Sequence, residues 1–151
     1  MLLGIDYGTT RTVVAAADRG NFPVASFQNE SGDTQEWYPS LIAASDFGEL
    51  LFGFDAAARQ REANWHLLRS FKRQLATLGA DSSVQIGARR YTTLALLTFL
   101  AQLRRDLQKR SVRARKGAEF EAMISVPANA NSNQRFLTIE AFRAPASRCA
   151  G

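Results

Sequence analysis

The apolar positions near the amino terminus come in short runs separated by polar turns. Leu2-Leu3-Gly4-Ile5 is one run and Thr12-Val13-Val14-Ala15-Ala16-Ala17 is another, with Asp6-Tyr7-Gly8-Thr9-Thr10 between them. Apolar segments flanking turn residues predict two strands joined by a turn. A third strand is expected at Val24-Ala25-Ser26-Phe27, followed by a polar loop over 28–36. Trp37 to Ala44 reads as extended, with Pro39 favouring an edge or a strand start because it has no backbone donor. Glu49-Leu50-Leu51-Phe52-Gly53 is a further short strand.

The period then changes. Asp55 to Arg61 predicts a short helix, and Trp65 to Leu78 predicts another that Gly79 stops. Ser83 to Ile86 is expected to be a strand. Leu96, Leu100, Leu103 and Leu107 are spaced by four, three and four, which is one face of a helix. That helix is expected to start at Thr92 or Thr93 and to run to about Arg115, with Gly117 as its stop. Glu121 to Val126 predicts a buried strand ended by Pro127. Asn131 can cap a final helix, with Gln134 three residues on as in a capping box. It would run to about Arg143, before Pro145. Strands, then helices, then strand and helix predict an α/β or α+β chain.

Composition adds little to this and charge adds one local feature. Of the 151 residues 46% are hydrophobic and 22% charged, which suits a chain with a buried core rather than a disordered one. The net charge is +5, but residues 104–116 carry seven bases and one acid, a net +6, so the remainder sums to −1. The basic run is therefore local, and a charged face on an amphipathic helix is first of all a solvated face. A nucleic-acid-binding module built on the 104–116 helix remains an alternative function. Cys149 is the only cysteine, so no intrachain disulfide forms. No stretch has the length of an apolar membrane span, and the first residues lack the pattern of a signal peptide, so a cytoplasmic protein is expected.

Two segments could carry chemistry. In Gly4-Ile5-Asp6-Tyr7-Gly8-Thr9-Thr10 a strand delivers a carboxylate to its end and a glycine lets backbone approach a ligand. Thr9 and Thr10 offer hydroxyls and backbone N–H groups to phosphate oxygens, and Asp6 is placed to hold a hydrated Mg²⁺ beside them. An exposed hairpin turn would carry the same residues, and no Walker A loop is present. In Ile124-Ser125-Val126-Pro127-Ala128-Asn129-Ala130-Asn131-Ser132-Asn133-Gln134-Arg135 a strand meets a capped helix across a polar loop. His66 has no second His or Cys near it in sequence to make a metal site, and Ser40 and Ser125 have no histidine placed to activate them. Asp33, Glu36 and Asp46 are expected to be solvated, and Phe47, Phe52 and Phe54 to pack.

Together GIDYGTT (4–10) and ISVPANANSNQR (124–135) resemble the paired signatures of the DnaK-type heat-shock chaperones. Ser70-Phe71-Lys72-Arg73 resembles that family's lysine-containing stretch between them, and Tyr38-Pro39-Ser40 its strand after the first hairpin. The resemblance covers residues 1–143 and implies the actin-like, ribonuclease H-like ATPase fold, first lobe only, as a mixed sheet with flanking helices. Residues about 37–113 would form an inserted subdomain. It implies ATP/ADP and Mg²⁺ as ligands, with unfolded peptides and co-chaperones as partners of the parent protein. Asp6 would hold the metal through water, and Gly8, Thr9 and Thr10 would receive the phosphates. Lys72 would stand near the γ-phosphate and the attacking water, where a fixed positive charge suits phosphoryl transfer. Pro127 and Arg135 would relay nucleotide state; a loop stop and a surface helix charge are their plainer roles.

Arg11 departs from the family by placing a bulky cation in the phosphate turn. The second phosphate loop and the adenosine-binding part of the family are missing, so the resemblance implies impaired hydrolysis. Residues 144–151 diverge, which is expected of a truncated or frameshifted coding sequence. A degenerate interaction protein without ATPase activity is the other alternative.

Overall fold

The computed structural model describes residues 1–75, 77–79, 81–111, 119–126 and 130–143, with only the backbone of 133 and 134. Strands β1 (Leu2–Tyr7) and β2 (Arg11–Ala16) pair antiparallel from Leu3↔Ala16 to Tyr7↔Thr12. The two-residue side-chain period buries Leu3, Ile5 and Tyr7 on one face and leaves Gly4 and Asp6 on the other. After a short hairpin of β3 (Phe27–Gln28) and β4 (Thr34–Gln35), β5 (Tyr38–Pro39) pairs with the start of β2. A second antiparallel sheet is formed by β6 (Leu41–Ser45), β7 (Leu50–Phe52) and β8 (Trp65–Arg69), in the order β7-β6-β8. Between β7 and β8 lies helix α1 (Gly53–Ala58), and after β8 comes α2 (Phe71–Leu75). The hairpin of β9 (Ser83–Ile86) and β10 (Arg89–Thr92) leads into α3 (Thr93–Arg110). The chain returns as β11 (Glu121–Ile124), parallel to β1, and ends its described part in α4 (Ser132–Arg143). The first sheet is thus mixed, in the order β11-β1-β2-β5, and the chain combines mixed sheets with helices as its pattern predicts.

The α3 helix carries most of the core. Leu96, Leu100, Leu103 and Leu107 are all buried, as their spacing predicts. Thr92 caps it, its hydroxyl accepting from the Ala95 N–H at 3.2 Å. The helix ends at Arg110 rather than near Arg115. Ser111 is extended and forms a bridge with Phe27, so strand pairing takes over from helix propagation. Residues 112–118, including the last three bases of the basic run, lie outside the described residues. Within the run, Arg110 is engaged by Asp55 at 2.7 Å and Asp106 at 3.5 Å, and Arg104 donates to the Arg143 carbonyl at 3.4 Å. The described part of the run therefore serves packing as well as solvation.

The largest departure from expectation is Trp65–Leu78. Trp65–Arg69 is a strand, paired with β6 from Ser45↔Trp65 to Leu41↔Arg69, and only Phe71–Leu75 is helical. Five ladder pairs with a fully buried central strand outweigh helix propensity, which is weak against tertiary context. The β3–β4 hairpin and β10 were not expected. The strand expected at Val24–Phe27 is reduced to an isolated bridge of Val24 with Ala15 and the first residue of β3. Phe52 and Phe54 are buried as expected, whereas Phe47 is 84% exposed at the β6–β7 turn. Asp46 is exposed, as expected, and lies 2.8 Å from His66.

Five aromatic rings meet where the sheets join. Tyr38 lies edge-on to Phe54 at 5.2 Å and to Phe99 at 5.7 Å, while Phe27 and Tyr7 complete the cluster. The Tyr38 hydroxyl donates to Asp106 Oδ2 at 2.6 Å, and Gln102 donates to the other oxygen at 3.1 Å. A Cβ on Gly53, which sits at φ +59°, would overlap the Tyr38 ring. Burial raises the Asp106 carboxyl above its ordinary value, and the bonds from Tyr38 and Gln102 and the Arg110 charge only partly oppose it.

Two predictions follow from this pair. Tyr38→Phe leaves Asp106 short of a donor in the core and is expected to cost about 1–3 kcal/mol in a urea titration. No loss would mean that the bond is not formed. Because the folded chain holds the Asp106 proton to higher pH than the unfolded chain, this group's contribution is full below the ordinary carboxyl value and falls as pH rises through the raised one. The stability of Asp106→Asn relative to the parent chain is therefore expected to improve across that interval. A constant difference from pH 3.8 upward would contradict the raised value.

Candidate functional site

The turn after β1 is closed by Gly8, Thr9 and Thr10. A Cβ on Gly8 would overlap the carbonyl oxygen of Arg11, so the hairpin can be this tight only with glycine there. The Thr10 carbonyl accepts from the Ser40 N–H at 3.1 Å, and the Thr12 and Ser40 hydroxyls bond at 2.9 Å. These bonds fix the turn against the chain that leaves β5.

A cleft of about 260 Å³ opens beside the turn, lined among others by Thr9, Thr10, Arg11, Trp37, Arg69 and Ser70. The Arg11 guanidinium stacks over Trp37 at 4.6 Å, and Arg69 donates to Gln60 Oε1 at 3.1 Å. Ser70 has φ +60°, a region few residues other than glycine adopt. That kink ends β8 and starts α2, sending Phe71 into the core and bringing the Lys72 ammonium 5.7 Å from the Tyr7 ring. Tyr7 is itself buried, and desolvation pushes its hydroxyl well above the usual tyrosine value, so it stays neutral.

The expected site residues are thus partly gathered. Thr9 and Thr10 share the cleft with Ser70, two residues before Lys72. Lys72 reaches the buried side of β1 through Tyr7, whereas Asp6 points to the opposite, exposed face. There Ser125, just past β11, donates its hydroxyl to Asp6 Oδ1 at 2.7 Å, and its N–H bonds the Ile5 carbonyl at 2.8 Å. Oδ2 of Asp6 takes no bond among the described residues. Ser125, Arg69 and Ser70 were not expected at the site. Ser125 could have been found from its place at the end of a strand parallel to β1.

Arg135 lies on α4, its Nε donating to the Ala130 carbonyl at 3.2 Å. Pro127 lies outside the described residues. Among the described residues no group of three or more His, Cys, Asp and Glu could hold a metal ion. A hydrated Mg²⁺ does not need one, because it is held by one or two carboxylates together with phosphate oxygens and water. Asp6, an exposed carboxylate two positions before Gly8, is one donor of that kind. No helix among the described residues is long and apolar enough to cross a membrane.

No protein-family model matches the chain. Curated proteins do. It is 32% identical over 144 residues to the chaperone protein DnaK of Elusimicrobium minutum, 34% over 142 residues to that of Thermosipho africanus and 29% over 142 residues to that of Methanothermobacter thermautotrophicus. The alignments cover 93–94% of this chain and 22% of each relative, so the chain spans about a fifth of the length of the proteins it matches.

The turn geometry generates a prediction. Gly8→Ala forces the Arg11 carbonyl to move and is expected to cost about 1–3 kcal/mol in chemical denaturation. A variant as stable as the parent would show that the turn accommodates a side chain.

Proposed function

The chain belongs to the DnaK-type heat-shock chaperone family, and from that premise we propose that it supplies one wall of an ATP-binding site. The observation that carries the reading is the placement of Thr9 and Thr10 on a cleft shared with Ser70, the residue that kinks the chain into the Lys72 helix. The implied fold is the first lobe of an actin-like ATPase domain. The four-stranded mixed sheet with β11 parallel to β1 supports it.

Each residue's part follows from its position. The tight backbone at Gly8 lets phosphate oxygens approach, and the Thr9 and Thr10 hydroxyls and N–H groups bond them. Asp6, whose Oδ1 is held by Ser125, would hold a hydrated Mg²⁺ through water with its other carboxylate oxygen. Mg²⁺, when bound, neutralises phosphate charge. Lys72 supplies a fixed positive charge near the terminal phosphate and the attacking water. Pro127 and Arg135 serve to pass nucleotide state onward to the remainder of a full-length chaperone.

ATP hydrolysis coupled to capture and release of unfolded peptides, co-chaperone binding and a cytoplasmic location belong to that whole protein.

Calorimetric titration with Mg-ATP tests the reading. Saturable binding is expected, weakened about 10–100-fold in Asp6→Ala through loss of the metal's outer contact. A folded chain that binds no Mg-ATP, or binds it equally well after the substitution, would remove Asp6 and the turn from the site.

A further inference from the structure

We infer that Arg11 and Arg69 make the cleft beside the β1–β2 turn a polyphosphate subsite, gripping the phosphate tail of a nucleoside polyphosphate together with Thr9 and Thr10. The identity of the anion rests on the nucleotide reading above; the existence of the subsite does not.

Two guanidinium groups from separate segments line one cleft, and among the described residues no carboxylate lines it. Neither arginine enters an ion pair among those residues. By contrast Arg59, Arg110 and Arg143 each pair with a carboxylate. Unpaired cations that share a cleft with two threonines make a site for an anion. Arg11 is also held in place, because its guanidinium lies 4.6 Å over the Trp37 ring. Arg69 is steadied by Gln60 at 3.1 Å. A planar guanidinium fixed before the ligand arrives meets phosphate oxygens in a two-bond fork at little entropic cost.

Size narrows the ligand. The cleft measures about 260 Å³. Sites that enclose whole small-molecule ligands run from about 300 to 1,000 Å³. The cleft lies just below that range and has room for a short chain of phosphates. This gives a role to the bulky cation in the phosphate turn, where it adds positive charge to the cleft.

The test is titration of the 151-residue chain with inorganic tripolyphosphate in the absence of divalent metal, followed by calorimetry and by tryptophan emission. Saturable binding is expected, with an emission change as phosphate binds beside the Arg11–Trp37 stack. Arg11→Gln and Arg69→Gln are each expected to weaken binding about tenfold, with Arg11→Lys between them and the parent chain. Lys109→Gln, a charge change on the exposed side of α3, is expected to leave it unchanged.

Equal binding by the parent chain and both glutamine variants would overturn the inference. So would no binding by a chain that circular dichroism shows to be folded, or an affinity for tripolyphosphate no greater than for orthophosphate. If Mg-ATP binds but neither arginine matters, the nucleotide reading stands and the subsite falls. If tripolyphosphate binds through the arginines and Mg-ATP does not bind, the subsite stands and the nucleotide reading falls.

Discussion

The hydroxyl of Tyr38 donates to a carboxylate buried in α3, and much of the molecule is arranged around that contact. Tyr38 belongs to a strand of only two residues, which two ladder pairs with β2 would hold weakly. The bond to Asp106 ties that strand to the longest helix. Arg110, one turn further along α3, reaches both Asp106 and Asp55, so α1 joins the same network. A carboxylate taken out of water this completely is costly unless its oxygens are bonded, and here three donors surround it. Gly53 is the steric counterpart, since any side chain there would occupy the space of the Tyr38 ring. The residues beside Tyr38 then have fixed positions: Trp37 stacks with Arg11, and Pro39 and Ser40 form the back of the cleft.

Much of this was legible before any coordinates. Strands β1 and β2, helix α3 and the return through β11 to α4 follow from periodicity and turn chemistry, although β11 is half-exposed rather than the buried strand expected over 121–126. The network around Tyr38 was not read, although Asp106 stands three residues after Leu103 and beside Leu107. An acid on the buried stripe of a helix needs a donor, and that spacing was the available signal. The segment 65–78 was misread for the opposite reason. Its alternation is poor and its composition suits a helix, and only pairing with β6, twenty or more positions away, makes Trp65–Arg69 a strand, while Phe71–Leu75 is helical. Phe47 shows that an aromatic near others in sequence need not join them. It lies on a turn whose tip faces solvent, while Phe52 and Phe54 face the core.

The candidate site was legible as a set of residues and not as an arrangement. Asp6, Gly8, Thr9 and Thr10 lie within five consecutive positions, yet strand alternation sends Asp6 to the face where Ser125 waits and the turn carries the threonines toward β5. Lys72 approaches from the side of Tyr7. Nothing local to residues 4–10 reveals this division, because it depends on where β8, β11 and α2 are packed. The two arginines of the cleft were less legible: Arg11 stood out as a bulky charge that could reach toward phosphate or face water, and Arg69 as one base in a basic stretch.

The central claim is that phosphate is received at the β1–β2 turn. Amide resonances followed by NMR during a Mg-ATP titration test it most directly. The account predicts the largest shifts at Gly8, Thr9, Thr10 and Ser70, with little change along the exposed side of α3. Shifts confined to the basic residues Arg104–Lys109, or spread without a maximum at the turn, would contradict it.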